Sequence, residues 1–382
     1  MIIHTKRTLD RDVLDLALDR IRQTFARFDQ VAVSFSGGKD STVVLNLTVQ
    51  VARELRQTPV RVVFWDEEAI PPETVEYMVR VAENPDVSME WYCLPVKHRN
   101  GCSRRSPWWY PWDPACPALW CRSLPDHSAV LTVLDGFNRH KVPDTNPLIF
   151  HPARGSAALI LGLRAAESLS RYRSVSMCLS DNWISWESNG YVARVKPIYD
   201  WATADVWLAP AKQGWDYNRA YDAMDKAGIT PHNQRVAPPY GEEPMRGLWM
   251  FRCCWPELWD RMSRRVPGAA TAARYANTPV YGYGDLVKLS DTWQASVEPY
   301  ILQHPSNIQP LIAHRIKREV LGHQKKSSDP IPDEKPHAIS GICWKFMAML
   351  ACRADLKRRK KPTWDTARFR EIEQHSTQTR YS

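Results

Sequence analysis

No apolar run in this chain approaches the roughly 18 residues that a membrane-spanning helix needs. The first residues lack the apolar h-region of a secretory signal. Both absences lead us to expect a soluble, cytoplasmic protein without a membrane partner. The nine cysteines are an odd number and, with no export signal, argue against a disulfide framework. They are expected as reduced thiols, metal ligands or buried packing. The ordinary phosphate-binding loop, G-x-x-x-x-G-K-[ST], is missing too: Val33 stands where its first glycine belongs, and Asp40 follows Lys39.

What is present is enough hydrophobic sequence to fold. At 382 residues and 44% hydrophobic content, the chain can bury a sizeable core, as one large domain with an appendage or as two domains. We expect an α/β part over residues 1–230 and a loop-rich, basic, mainly helical extension over 231–382. The net charge of +9 suggests an anionic partner without naming one. The oligomeric state stays open.

The chain is organised around Val31-Ala32-Val33-Ser34-Phe35-Ser36-Gly37-Gly38-Lys39-Asp40-Ser41-Thr42. Val31, Val33 and Phe35 alternate with smaller residues as in a strand, while Val43, Val44, Leu47, Val51 and Leu55 recur at helical spacing. Adjacent glycines at the turn let the backbone approach an anion, and the helix start adds unpaired N–H groups and the positive end of its dipole. Lys39 and the hydroxyls of Ser36, Ser41 and Thr42 complete a candidate phosphate cradle.

Further along, Gly162-Leu163-Arg164-Ala165-Ala166-Glu167-Ser168-Leu169-Ser170-Arg171 succeeds an apolar run. Arg164 at a strand end can fork onto phosphate oxygens, Arg171 can reach the same pocket from one to two turns on, and Glu167 can orient a guanidinium.

Ser36-Gly37-Gly38-Lys39-Asp40-Ser41 resembles the S-G-G-x-D-S pyrophosphate loop of the N-type ATP pyrophosphatases, the superfamily that includes phosphoadenosine phosphosulfate (PAPS) reductases. The G-x-R-x-x-E-S-x-x-R stretch is similar to the second signature of the PAPS reductase-like proteins. Pro197-Ile198 through Trp201 to Asp205-Val206-Trp207 resembles the stretch after the last core strand of that family, and we read Trp201, Val206 and Trp207 as packing. The run Arg235 to Arg261, with Glu242-Glu243, resembles the narrower immunoglobulin-binding-regulator-A type, which carries an extra C-terminal domain of unknown function. Trp344 to Trp364 looks like a weaker continuation.

The resemblance implies an adenine nucleotide α-hydrolase-like, Rossmann-like fold that binds ATP or PAPS, with Mg²⁺. It places Asp66, at the end of the strand Val60–Trp65, near the ribose or Mg²⁺. The candidate nucleotide contacts are Ser34, Ser36, Gly37, Gly38, Lys39, Ser41, Thr42, Asp66, Gly162, Arg164, Glu167 and Ser168. The candidate catalytic groups are Lys39, Asp40, Arg164 and Arg171.

Strand and helix patterns alternate from about 30 to 210, which argues for a doubly wound, mostly parallel sheet. Helices are expected over 9–28, from Pro72 to about Ala82, from Ala129 to Phe137 and from Tyr217 to Gly228. Strands are expected at Met89–Leu94, Ala157–Gly162 and Val192–Ile198.

Residues 97–121 interleave Lys97, His98, Arg99, Arg104 and Arg105 with Trp108, Trp109, Tyr110 and Trp112, a composition that suits nucleic acid or a self-anchored insertion. Lys317-Arg318, Lys325-Lys326 and Lys357 to Lys361 offer further basic clusters, for nucleic acid or simply for solvent. His98, Cys102, Cys116 and Cys121 have zinc-ligand chemistry but not the paired C-x2-C spacing, so loop thiols are the favoured reading. Cys253, Cys254, Cys343 and Cys352 invite an iron–sulfur comparison, which their spacing weakens. Ser327 to Lys335 reads as a linker.

PAPS reductases use a cysteine near the C-terminus, whereas Glu371 to Ser382 has none. The favoured expectation is therefore cleavage of ATP to AMP and pyrophosphate with adenylation of an acceptor. The alternatives are sulfonucleotide reduction or sulfur transfer through another cysteine, and a nucleotide-sensing regulator of nucleic acid or protein without turnover.

Overall fold

The computed structural model describes residues 9–103, 105–176, 181–231, 233–236, 238–241, 244–275 and 286–354. Arg104, Glu242, Glu243, Lys357 to Lys361, Trp364 and Glu371 to Ser382 lie outside the described residues. The chain forms two compact units, Met1–Arg99 with Trp108–Val266, and Asn100–Pro107 with Pro267–Ser382. The first unit runs on through Val266.

The first unit is built on strands β1 (Gln30–Phe35), β2 (Val60–Trp65), β3 (Val87–Tyr92), β6 (Val130–Leu131), β7 (Ala157–Leu161), β8 (Ile184–Trp186) and β9 (Val192–Val195), in the order β6-β3-β2-β1-β7-β9-β8. Every neighbour pair is parallel except β8 with β9. β4 (His98–Arg99) and β5 (Trp108–Trp109) form a separate antiparallel pair. Buried on both faces, the central strands are nearly continuous in Val, Ile, Ala and Phe, as parallel strands covered by helices must be. Val33, Val62 and Ile160 belong to one apolar core and Ala32, Val63 and Leu159 to the other.

The helices of this unit are α1 (Val13–Arg27), α2 (Lys39–Leu55), α3 (Pro72–Ala82), α4 (Asn146–Ile149), α5 (Leu169–Ser176), α6 (Thr203–Gln213), α7 (Ala220–Lys226), α8 (Leu248–Cys254) and α9 (Pro256–Arg265). Their starts obey local chemistry. Asp12 caps α1 by accepting from the Leu14 amide, α3 opens on Pro72, and Asp205 of α6 accepts from the Ala202 amide at 2.7 Å. α2 is buried on most sides, with Val43, Val44, Leu47 and Val51 in the core.

Two expectations change. Ala129 to Phe137 is not helical: it pairs Val130 and Leu131 with Trp91 and Tyr92 and then turns at Gly136, whose φ is +73°. The edge strand β8 is too short to show an alternating pattern, so periodicity does not reveal it.

In the second unit, α10 (Ala269–Tyr275), α11 (Trp293–Leu302), α12 (Gln309–Gln324) and α13 (Trp344–Arg353) supply its regular structure. Val297, Tyr300, Ile312, Ile316, Phe346 and Met347 share a core. The segment Ser327 to Lys335 is not an idle linker: Asp333 accepts from the Trp293 and Gln294 amides at 3.1 and 3.0 Å and so caps α11.

Candidate functional site

β1 is flanked by β2 on one side and β7 on the other, and the chain runs from β1 to β2 but from β7 toward β9, so the connections of these two neighbours leave in opposite directions. In an open parallel sheet that end is where a crevice opens. Ser34 lies there in register with Val63 and Leu161. The chain then turns through Ser36, Gly37 and Gly38 into α2.

The turn needs its glycines. Gly37 has φ +69°, and a Cβ there would stand 2.4 Å from the Met78 Cε. Its carbonyl accepts from Asn218 Nδ2 at 3.0 Å, and the same amide group reaches Thr74 Oγ1 at 2.9 Å. Ser36 and Ser41 brace the turn from within: their hydroxyls meet at 3.1 Å, Ser41 Oγ donates to the Gly38 carbonyl at 2.9 Å, and Ser36 Oγ accepts from the Gly38 amide at 3.3 Å. The amides of Gly37, Asp40 and Ser41 have no hydrogen-bond partner among the described residues. Unpaired N–H groups at the N-terminus of a long helix are what an anion requires.

Charged groups converge on the same turn. Arg164, just past β7, sits on the carboxylate of Asp40 through Nε and reaches Thr203 Oγ1 at 3.2 Å through Nη1. The Lys39 ammonium lies 3.8 Å from Asp40 and donates to the Gln234 carbonyl at 3.1 Å. Burial lowers the Lys39 pKa from its ordinary value; Asp40 opposes that shift, and Arg164 and Arg235 reinforce it. The Lys39 amide donates to the Tyr221 hydroxyl at 2.8 Å.

Gly162 explains the glycine of the second signature. A Cβ on it would lie 2.6 Å from both the Asp40 carbonyl carbon and the Ser41 nitrogen, so β7 and the first turn of α2 touch backbone to backbone. The other signature residues shape this corner. Glu167 accepts from the Arg164 amide at 3.1 Å and pairs with Arg171, and Ser168 Oγ accepts from the Arg171 amide at 3.2 Å.

The structure therefore joins Lys39, Asp40 and Arg164 at the turn and seats Arg171 on Glu167. Two expected contacts are redirected. The Thr42 hydroxyl faces the core, 3.0 Å from the Tyr77 hydroxyl, because Thr42 stands one turn into the helix. Asp66 is fully buried: its carboxylate takes the Glu68 amide at 2.9 Å, Trp91 Nε1 at 2.7 Å and the Arg122 guanidinium. It ties Arg122 to the end of β2 instead of presenting a free carboxylate.

Glu68 acts in the same way. Fully buried, it accepts from the amides of Trp112 and Cys121 at 2.7 and 2.8 Å and from Arg265 Nε at 2.8 Å. Two carboxylates thus hold the 108–122 segment. Trp109 and Trp112 are core residues, 3% exposed each, so they are not surfaces on which bases stack. Lys97 and Arg99 lie over Trp108, at 4.5 and 5.7 Å from its centroid, and Arg139 over Tyr110 at 4.5 Å. Lys317, Arg318, Lys325 and Lys326 are exposed, the positions of a solvated basic surface.

Among the described residues no three His, Cys, Asp or Glu side chains gather into a metal-ligand set. His98 stacks on Trp109 and approaches Glu67 at 3.5 Å. Burial pushes the Cys102 thiol up to about 12 and those of Cys93 and Cys121 higher still. The loop's own carboxylate, Asp40, is engaged by Arg164.

Tyr221, Asn218 and Gln234 are site residues that the sequence motifs do not single out, and Arg235 is read there only as the start of a C-terminal resemblance. They reach the turn from 181 to 195 or more positions away in sequence, which no local pattern encodes.

This geometry agrees with a family model. Residues 30–108 match the phosphoadenosine phosphosulfate reductase domain, and residues 228–322 match a domain of unknown function (DUF3440). The class is thus a PAPS reductase-type α/β domain with a further C-terminal domain. More narrowly, the chain belongs to the family of the uncharacterized protein YbdN of Escherichia coli (strain K12), with which it is 31% identical over 291 residues, 72% of this chain and 70% of YbdN. Among solved structures, it is similar to the PAPS reductase of Candida auris at 15% identity and a TM-score of 0.30, over 57% of this chain and 94% of that one. It also resembles the FMN adenylyltransferase of Candida glabrata at 15% identity and a TM-score of 0.35, over 55% and 57% of the two chains. The U34-tRNA thiolase NcsA of Methanococcus maripaludis matches at 12% identity and a TM-score of 0.31, over 73% and 85%.

Proposed function

We propose that the Ser36–Thr42 turn binds the phosphate chain of ATP and that the domain cleaves it between the α- and β-phosphates. An acceptor oxygen attacks the α-phosphorus, the bond to the bridging oxygen breaks, pyrophosphate leaves, and AMP stays on the acceptor. The observation that carries this reading is the approach of Arg164 to Asp40 beside three unpaired amides. Preorganised donors of this kind stabilise charge that grows on transferring phosphorus and leaving oxygens without reorganising. The unpaired amides of Gly37, Asp40 and Ser41 and the Lys39 ammonium would hold the leaving pyrophosphate. Arg164 would swing part of its fork from Asp40 to the α-phosphate.

Glu167 and Ser168 are positioning residues in this scheme, and Arg171 acts at its margin. We further place the chain with the immunoglobulin-binding-regulator-A type, a reading supported by the C-terminal DUF3440 match. Sulfonucleotide reduction would need a reactive thiolate. Burial raises Cys93, Cys102 and Cys121 away from that state, so such a reaction would have to use another thiol, such as the exposed Cys253.

The test is calorimetric titration with ATP and with PAPS, coupled to analysis for pyrophosphate, AMP and sulfite. Charge-assisted hydrogen bonds contribute about 1.5–3 kcal/mol each. Lys39→Ala and Arg164→Ala should therefore each weaken ATP binding by about ten- to a hundredfold. Unchanged affinity in both variants refutes the assignment.

A further inference from the structure

A cavity of about 370 Å³ lies beside Lys39, formed by α6, α7 and the chain after them. Its walls are Trp207, Trp215, Tyr217 and Tyr221, with Asp222 and Asp225 among its lining. Trp207 and Tyr221 meet edge to face at 5.1 Å. The Lys39 ammonium stands 5.9 Å from the Trp207 centroid and 5.7 Å from that of Tyr221, so one side chain borders both the phosphate turn and the cavity.

The volume is that of a small-molecule site, and the lining is selective. Four aromatic rings offer flat apolar faces whose negative centres attract cations. Asp222 accepts from the Tyr217 hydroxyl at 2.9 Å, which fixes that ring. Asp225 is exposed at the rim and its carboxylate has no partner among the described residues. A neutral ring alone would fill the apolar part and gain nothing from this carboxylate, which is exposed to water. A ring bearing a protonated amine answers both.

Resting on the ATP-cleavage reading, we infer that this cavity receives the acceptor, an amine-bearing aromatic or heterocyclic small molecule. Its ring lies among Trp207, Trp215, Tyr217 and Tyr221, and its ammonium faces Asp222 and Asp225. The oxygen that takes AMP points to the opposite end, toward Lys39.

The full chain is titrated with tryptamine, with its neutral counterpart indole and with ATP, using calorimetry and saturation-transfer NMR. Tryptamine should bind about tenfold more tightly than indole. Asp225→Asn, an exposed substitution that leaves the core untouched, should reduce that preference about threefold or more and leave ATP affinity unchanged. Trp215→Ala should weaken both ring ligands. The inference fails if indole binds as well as tryptamine. It fails equally if adenosine displaces tryptamine and Asp225→Asn weakens ATP, because the cavity would then be the pocket for the nucleotide's base. Tryptamine binding with no ATP binding would instead overturn the nucleotide reading and leave the amine site standing.

Discussion

Gly162 lies so close to Asp40 that a side-chain methyl would stand 2.6 Å from the Asp40 carbonyl carbon and 2.8 Å from its oxygen. Neither neighbour is a flexible side-chain end, so the first turn of α2 has to move when Gly162 becomes Ala. We predict that Gly162→Ala retains the sheet, seen as an unchanged far-ultraviolet circular dichroism spectrum, but lowers ATP affinity at least tenfold by calorimetry. Anion binding by backbone amides depends on their orientation.

Lys39 should reveal itself through pH. Burial lowers its pKa below the ordinary 10.5. Between the lowered native value and 10.5 the unfolded chain holds the extra proton, so this group makes stability rise with pH across that window. Below the window its contribution is a constant penalty. Urea titrations from about pH 7 to the ordinary lysine value should show that Lys39→Met removes this rise relative to the parent chain. ATP binding should take up protons in the same window, because the phosphates favour the charged amine, and calorimetry in buffers of different ionisation enthalpy measures that uptake.

The Glu68–Arg265 pair is predicted to be a stability determinant. Both side chains are buried, and Glu68 also receives two backbone amides. Glu68→Ala strands Arg265, and breaking a buried pair from one side costs about 3–5 kcal/mol. The double variant Glu68→Ala, Arg265→Ala should be destabilised by less than the sum of its parts, as read from denaturant midpoints.

Thiol reactivity should be sharply uneven. Cys253 is exposed, while Cys93, Cys102 and Cys121 are buried and their pKa values are raised by that burial. Brief iodoacetamide treatment at about pH 8 and then peptide mass mapping should label Cys253 first and spare these three, since the thiolate is the reacting form.

Much of this architecture is legible in the residues. Val60–Trp65 reads directly as a strand because both its faces are buried and its apolar run is nearly unbroken. The strand, glycine turn and helix of 30–55 can be placed from periodicity alone. What is hidden depends on distant partners. Asp66 looks like a ligand contact because a carboxylate at a strand end is usually free, and only the fold shows Trp91 and Arg122 bound to it. Thr42 looks like part of the cradle until the helix turns its hydroxyl toward Tyr77. Tyr221 and Asn218 carry no local signature, since their place at the turn comes from where α7 lands.

Asp66 and Glu68 attach the 108–122 segment through single side chains. They hold it at Trp112, Cys121 and Arg122, beyond the short ladder of Trp108 and Trp109, so the stretch between Trp112 and Cys121 carries no strand pairing among the described residues. An insertion or deletion between Trp112 and Cys121 is therefore expected to leave the sheet beneath it in place, which makes this rim open to rewriting on an unchanged frame.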